Sequence, residues 1–223
     1  EINLPFWMQT RPETISHDNI KRLSEVGLHR ISFGMEHGNE EFRKQMLDRR
    51  WKNADIIDAL KIPHQYGVQF SVNNITGFPD ETRKLAMDTV EINRKIDSDN
   101  ANIYTFVPFH GTPLRQVCES KGLISHKTIT KCLTDKPVFE MPQYTVEEIM
   151  GLRKCFILYT SFPKNRWKDI EKAEPDTQEG NRIFAELKQE YMEKYSRVSA
   201  NNNVDEIPEI ADLEYGIEIS PLV

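Results

Sequence analysis

The chain has 223 residues, of which 38% are hydrophobic and 29% are charged, and its net charge is −6. This composition is that of a globular protein, with length for one large domain or for one domain and an appendage. The sequence contains no apolar run of about 18 residues, so no membrane helix is predicted, and the negative charge argues against nucleic acid as a partner.

Strand-like and helix-like segments alternate along the first two thirds of the chain. Strands are predicted over residues 4–9, 29–35, 68–75 and 101–109. Helices are predicted between them over residues 17–27, 40–49, 53–67 and 81–96, with Ser16 and Asn39 as N-caps. This alternation indicates right-handed βαβ crossovers and a parallel sheet. Most strand positions are apolar, which predicts a sheet covered by helices on both faces.

The segment NITGFPDE, residues 74–81, is a predicted loop between the third strand and its helix. Gly77 permits backbone angles that a side chain disfavours, and Pro79 fixes the next turn. Asp80 and Glu81 are expected to open the following helix at its positive end. Two further loops, 34–39 and 108–113, also follow strands, so the three should meet at the carboxyl edge of the sheet, where ligands bind.

The three cysteines, Cys118, Cys132 and Cys155, fit neither a disulfide framework nor a zinc or iron–sulfur motif. A sparse, odd set is typical of a reducing compartment, and the first residues lack the pattern of a signal peptide, so we expect a cytoplasmic protein. The sequence starts on a strand-like run without methionine. We therefore expect a piece of a longer protein.

The alternation stops near residue 125. Residues 144–162 and 181–198 have helical periodicity, whereas residues 201–223 are acidic and unpatterned. The predicted regions are an α/β core over 1–124, a helical extension over 125–200 and an acidic tail over 201–223.

Three segments in order, GLHRISFGMEHGNEEFRKQMLDR, NNITGFPDET and YTFVPFHGTPL, closely resemble the radical S-adenosylmethionine (radical SAM) superfamily. The resemblance extends from residue 5 to about 124 and is strongest to the branch whose members usually carry an upstream cobalamin-binding domain. It implies a partial, TIM-like (β/α)6 barrel. This chain would supply the carboxyl-terminal part of that barrel, with its last four βα units, followed by the helical extension.

The resemblance also implies the cofactors: SAM, a 4Fe–4S cluster and, in the parent protein, cobalamin. In the family, a C-x-x-x-C-x-x-C loop after the first strand binds the cluster, and this sequence has no such motif. We therefore expect a fragment that is inactive alone. Within the full-length enzyme it would help to generate a 5′-deoxyadenosyl radical or to transfer a methyl group. The enzyme would act on a small-molecule substrate.

A missing amino-terminal half of the barrel would leave the strand at 4–9 with an open edge. Such an edge tends to pair with another chain. We expect either self-association through this edge or its covering by the tail.

The resemblance assigns residues to SAM one by one. Glu36 would accept hydrogen bonds from the ribose hydroxyls, although it could instead merely balance the helix after Asn39. Arg49 would bind the methionine carboxylate, with Arg50 as its rival. Asn73 would face the ribose or the adenine. The remaining adenine contacts would be an apolar wall at Ile75, a close backbone approach at Gly77, and backbone groups of Phe106 and Val107.

Three further residues, Arg11, His37 and His110, are candidates for contact with the substrate, and both histidines could instead be ordinary surface residues. Two other functions stay open. A metal-dependent barrel hydrolase or aldolase could use Glu36 with the two histidines, but such a barrel needs eight strands and four are predicted. A non-catalytic binding domain is the other possibility.

Overall fold

The computed structural model describes residues 4–130 and 132–195, and its centre is a four-stranded parallel sheet. The strands lie side by side in chain order. Their bounds are β1 Phe6–Thr10, β2 Leu28–Glu36, β3 Gln69–Thr76 and β4 Asn100–Thr105. The predicted α/β fold with four sequential parallel strands is confirmed. The fourth strand is shorter than predicted because it ends at Thr105.

Most helices connect or follow these strands. The first six are α1 His17–Glu25, α2 Glu40–Leu47, α3 Asn53–Ala59, α4 Ile62–Gln65, α5 Arg83–Asn93 and α6 Pro113–Ser120. The carboxyl-terminal three are α7 Val146–Ser161, α8 Trp167–Ala173 and α9 Gln178–Lys194. Short 3-10 turns occupy Pro12–Thr14 and Lys164–Arg166. No helix within the described residues is long and apolar enough to cross a bilayer.

Local sequence signals explain where several helices begin and end. The side chains of Ser16 and Asn39 accept hydrogen bonds from backbone N–H groups of α1 and α2, as predicted. The helix predicted over 53–67 is broken into α3 and α4 because Pro63 cannot donate to the preceding turn. The helix predicted from residue 81 begins two residues later, with Thr82 as its cap. Glu81 is therefore not a helix-opening acid, which corrects that prediction.

The two faces of the sheet differ, which corrects the expectation that both are apolar. On β3, Phe70 and Val72 are buried on the outer face with the helices, whereas Ser71 and Asn73 are partly exposed on the opposite, inner face. The inner face carries Arg30, Ser32, Gly34 and Glu36 of β2, Gln69, Ser71, Asn73 and Ile75 of β3, and Asn100, Asn102 and Tyr104 of β4. A closed barrel is usually filled by bulky apolar side chains. This inner face is instead mostly polar.

The carboxyl-terminal helices pack against the sheet and α5, so the predicted helical extension is present. Leu152 and Phe156 of α7 share one buried cluster with Val90 of α5 and Ala101 of β4. The boundary at residues 124/125 stays a prediction, since the packing is continuous across it. The predicted tail over 201–223 lies outside the described residues.

Strand β1 forms one edge of the sheet and pairs with β2. On its inner-face side, Trp7 is 53% exposed. Within the described residues no strand covers the other edge of β1, and the predicted self-association through it stays a prediction.

Candidate functional site

The three predicted loops meet at the carboxyl edge of the sheet because the strands are parallel and in register. Gly34 of β2 pairs with Asn73 of β3, which pairs with Asn102 of β4. One step nearer the carboxyl edge, Ile75 lies beside Tyr104. The end of β2 at Glu36 therefore stands next to the last residues of β3.

Glu36 and Arg49 form a partly buried ion pair at this edge. Arg49 Nη2 donates to Glu36 Oε1 at 3.0 Å, and Arg49 Nη1 donates to the carbonyl oxygen of Gly34 at 2.6 Å. The two side chains are only 18% and 16% exposed, respectively. The rival Arg50 is 75% exposed at its side chain and pairs with Asp48. The structure thus brings Arg49, and not Arg50, to Glu36.

The backbone of Glu36 is strained so that its carboxylate can fold back over β2. Its φ is +74°, in the left-handed region, which costs a residue with a side chain about 1–2 kcal/mol. A Cβ atom at Gly34 would lie 2.5 Å from Glu36 Oε1. The carboxylate can occupy this position only because residue 34 has no side chain.

Burial and charge act in opposite directions on this carboxylate. Burial raises the pKa of Glu36 above its usual value, while Arg49 and, more weakly, Arg11 lower it. A carboxylate and a guanidinium therefore stand side by side, and they offer acceptors and donors to one ligand. The exposed Arg11 adds a further positive charge near the site.

Asn73 lies on the inner face in a hydrogen-bonded chain across three strands. Its Nδ2 donates to Ser32 Oγ at 2.7 Å, and its Oδ1 accepts from Asn102 Nδ2 at 3.1 Å. These two bonds fix the orientation of the Asn73 amide and leave one amide hydrogen and one lone pair for a ligand. The neighbouring Asn74 is fully buried on the outer face and bonds with Asn93 instead.

The predicted adenine contacts are only partly available. Gly77 has φ +87°, and a Cβ atom there would lie 3.3 Å from Ile149 Cδ1 of α7. The close approach at Gly77 is therefore to this helix. The amide of Phe106 donates to the carbonyl of Thr76 at 2.8 Å, and the carbonyl of Val107 accepts from Phe109 at 2.9 Å. These two backbone groups already bond within the protein, whereas Ile75 is partly exposed on the inner face as predicted.

The structure separates the two histidines. His37 is fully buried, with its ring 4.4 Å from that of Phe42, and it bonds to the equally buried Glu81 at 3.1 Å. This burial leaves it no contact with a substrate, which corrects its place among the substrate-side residues. His110 is exposed in the loop after β4. Within the described residues no group of three or more histidine, cysteine or acidic side chains could hold a metal ion.

The implied cofactors fit the described residues to different degrees. Glu36, Arg49 and Asn73 offer the acceptors and donors that a ribose and a carboxylate need. A 4Fe–4S cluster needs several thiolates grouped together. Cys118 and Cys155 are buried and Cys132 is exposed, and no three possible ligands are grouped among the described residues, so the cluster does not fit here. The described residues thus offer polar groups for a ribose and a carboxylate, and they offer no ligand set for an iron–sulfur cluster.

Sequence reasoning missed the role of Glu81. Its side chain turns into the core and accepts hydrogen bonds from the N–H groups of Gly77 and Phe78. The available signal was the adjacent Thr82, which is a good N-cap and so displaces Glu81 to the position before the cap.

Comparisons with known proteins give a consistent result. The family model described as the radical SAM superfamily matches residues 2–92. An uncharacterised methyltransferase of Pyrococcus horikoshii is 28% identical over 170 residues, which cover 76% of this chain and 37% of the relative. Among solved structures, coproporphyrinogen III oxidase (HemN) of Escherichia coli, a radical SAM enzyme, has a TM-score of 0.52 at 17% identity, covering 71% of this chain and 33% of that one. The archaeal Elp3 of Methanocaldococcus infernus has a TM-score of 0.50 at 18% identity, covering 86% of this chain and 42% of that one. This chain spans less than half of the length of each.

Proposed function

Because residues 2–92 match the radical SAM family model, we propose that this chain supplies the nucleoside-binding part of the SAM site of a larger enzyme. The observation that carries the proposal is the pairing of Glu36 with Arg49 above Gly34. The left-handed φ of Glu36 and the burial of its carboxylate both cost stability. A ligand with hydroxyl donors gives this carboxylate a purpose.

Each of these residues has one task in binding. Glu36 accepts hydrogen bonds from the two ribose hydroxyls with its carboxylate oxygens. Arg49 uses two of its five N–H donors on Gly34 and Glu36, and the others bind the methionine carboxylate. Asn73, held by Ser32 and Asn102, presents its free amide hydrogen and lone pair to the ribose or adenine.

A 4Fe–4S cluster would be held by the rest of the enzyme, where it would supply the electron for the cleavage of SAM. This chain contributes orientation: it holds the nucleoside at the carboxyl edge of the sheet, beside the polar inner face. A small-molecule substrate would lie against that face, with the exposed Arg11 and His110 at its rim.

We further propose methyl transfer as the class of reaction and cobalamin as a second cofactor of the whole enzyme. Methyl transfer is supported by the methyltransferase relative in Pyrococcus horikoshii, and cobalamin by the motif resemblance alone. In this proposal the chain is a fragment of a cytoplasmic enzyme and has no catalytic activity by itself.

Binding of SAM to this chain alone should be weak, because in the full-length enzyme the cluster would anchor the methionine amino and carboxylate groups. The remaining hydrogen bonds contribute about 0.5–1.5 kcal/mol each, more where charged, and association costs several kcal/mol in entropy. We expect a Kd of about 1 mM or higher, on the order of 4 kcal/mol.

The test is an NMR titration of the isotopically labelled chain with SAM and with S-adenosylhomocysteine. We expect shifts at the amides of Glu36 and Asn73, and their loss in Glu36→Ala and Asn73→Ala. Glu41→Ala, on an exposed part of α2, is the matched control. Micromolar binding would mean that the share of the cluster is overestimated. Binding that both variants leave unchanged would mean that other residues form the site.

A further inference from the structure

The loop after β3 is tied together by one buried carboxylate. Glu81 has no exposed surface. Its Oε2 accepts the N–H groups of Gly77 at 2.5 Å and of Phe78 at 3.0 Å. A buried carboxylate is costly unless its lone pairs are all used, so the position of Glu81 fixes the backbone that follows Ile75.

The same carboxylate reaches the loop after β2. Glu81 Oε1 lies 3.1 Å from His37 Nε2. His37 Nδ1 accepts the N–H of Asn39 at 3.1 Å, which leaves Nε2 as the donor to Glu81. His37 directly follows Glu36, so this bond joins the loop that begins at the proposed ribose contact to the loop that follows Asn73 and Ile75 of β3.

A third contact connects this pair with the helical extension. Thr76 Oγ1 lies 3.5 Å from both oxygens of Glu81 and 3.1 Å from the hydroxyl of Tyr144, which is fully buried just before α7. The carboxylate therefore stands at the junction of three chain segments that are distant in sequence.

We propose that Glu81 is a positioning residue of the nucleoside site: through His37 it holds the loop of Gly77 and Phe78 at a fixed place relative to Glu36. The inference rests on the proposed function, since it assumes that Glu36 and the end of β3, just before this loop, contact one nucleoside. Glu81 touches no ligand itself, and its effect passes through the backbone of both loops.

Glu81→Gln separates positioning from simple loss of packing. The carboxamide has the length of the native side chain, and its single oxygen can still accept from Gly77 and Phe78. Its NH2 group then faces the N–H of His37 Nε2, so two donors oppose each other. His37 cannot shift its proton to Nδ1 without placing a second pair of donors against Asn39. The variant therefore uncouples the two loops without emptying the core.

The control is Asp80→Asn, which removes the same charge from the same loop. Asp80 is exposed, pairs with Lys121 and has φ +62°, a conformation that asparagine tolerates. The probe is S-adenosylhomocysteine, titrated into the labelled chain. We expect Glu81→Gln to raise the Kd by about tenfold, and Asp80→Asn to change it by less than about twofold.

The pattern of shifts distinguishes positioning from destabilisation. In Glu81→Gln the ligand should still shift the amides of Glu36 and Asn73 but no longer those of Gly77 and Phe78. A merely destabilised site would lose all four in proportion. If the unsubstituted chain gives no shifts at Glu36 and Asn73, the proposed function is wrong. If it does, and Glu81→Gln behaves as Asp80→Asn, only the role of Glu81 is wrong.

Hydrogen exchange on the unsubstituted chain keeps the test open should Glu81→Gln fail to fold. S-adenosylhomocysteine should slow the exchange of the Gly77 and Asn39 amides together, because Glu81 and His37 couple their loops. Protection of one amide without the other would overturn the inference.

Discussion

Gly34→Ala is expected to weaken nucleoside binding strongly while leaving the fold nearly intact. The new Cβ atom would lie 2.5 Å from Glu36 Oε1 and 4.0 Å from Arg49 Nη1. Only the end of a flexible side chain has to move, so the sheet need not deform. The displaced carboxylate would lose its 3.0 Å bond to Arg49, which is a charged hydrogen bond of about 1.5–3 kcal/mol.

This displacement has different effects on stability and on binding. The Glu36–Arg49 pair is partly exposed, so water can hydrate the displaced carboxylate and offset much of the lost bond. We therefore expect the free energy of unfolding to fall by about 1 kcal/mol. Binding loses the whole carboxylate contact, about tenfold to a hundredfold in Kd. Urea unfolding and titration with S-adenosylhomocysteine measure the two effects.

Gly67→Ala is the matched control for Gly34→Ala. Gly67 has φ +71°, and a Cβ atom there would meet nothing within 4 Å. Its substitution should cost about 1 kcal/mol of stability through backbone strain and leave binding unchanged. If Gly34→Ala binds S-adenosylhomocysteine as well as Gly67→Ala does, the carboxylate of Glu36 is not part of the site.

Three further predictions follow from single contacts and from pKa shifts. In Gly38→Ala the Cβ atom would lie 2.2 Å from the carbonyl oxygen of Asp88 on α5. We expect the free energy of unfolding in urea to fall by about 2–3 kcal/mol. A decrease no larger than that of Gly67→Ala would contradict the close packing. Burial raises the pKa of Glu36, so its ionisation costs stability as pH rises through the unfolded and then the folded pKa. Glu36→Gln mimics the protonated form, and its stability relative to the native chain should therefore increase from pH 4 to pH 7. Stability profiles of the two proteins that run parallel with pH would refute this. Burial raises the pKa of Cys118 to about 11 and of Cys155 to about 12, whereas hydrogen bonding from Thr134 lowers the pKa of the exposed Cys132. Cys132 alone among these three thiols should therefore react rapidly with a disulfide reagent at pH 8. A fast phase that persists in Cys132→Ser would show the assignment to be wrong.

The sequence predicts those features that depend on neighbouring residues. Ser16 and Asn39 cap their helices because capping involves residues three positions apart. The strand order follows from the alternation of strands and helices. Asn73 lies on the inner face because side chains alternate along β3.

Features that depend on distant partners were not predicted. His37 is buried because Glu81, 44 residues away, supplies its hydrogen-bond partner, and no local pattern around either residue indicates the other. Gly77 is close to Ile149, a residue of a helix that local patterns do not place at this loop. The amide of Phe106 donates to the carbonyl of Thr76 because the hydrogen bonding between β3 and β4 continues one residue beyond the end of β4.

The backbone conformation of Glu36 is a separate reason to regard it as functional. Among the described residues, three that are not glycine have positive φ: Glu36, Asp48 and Asp80. The two aspartates are exposed, at a helix end and in a turn, where a short polar side chain tolerates this conformation. Glu36 has a longer side chain, is largely buried, and has a raised pKa caused by that burial. Glycine at this position would lose the ion pair with Arg49, of about 1 kcal/mol, but would remove both the desolvation and a strain of about 1–2 kcal/mol, so stability alone does not account for glutamate. Strain of this kind persists where a site requires it, and the proposed binding of hydroxyl groups at the edge of β2 would be such a requirement.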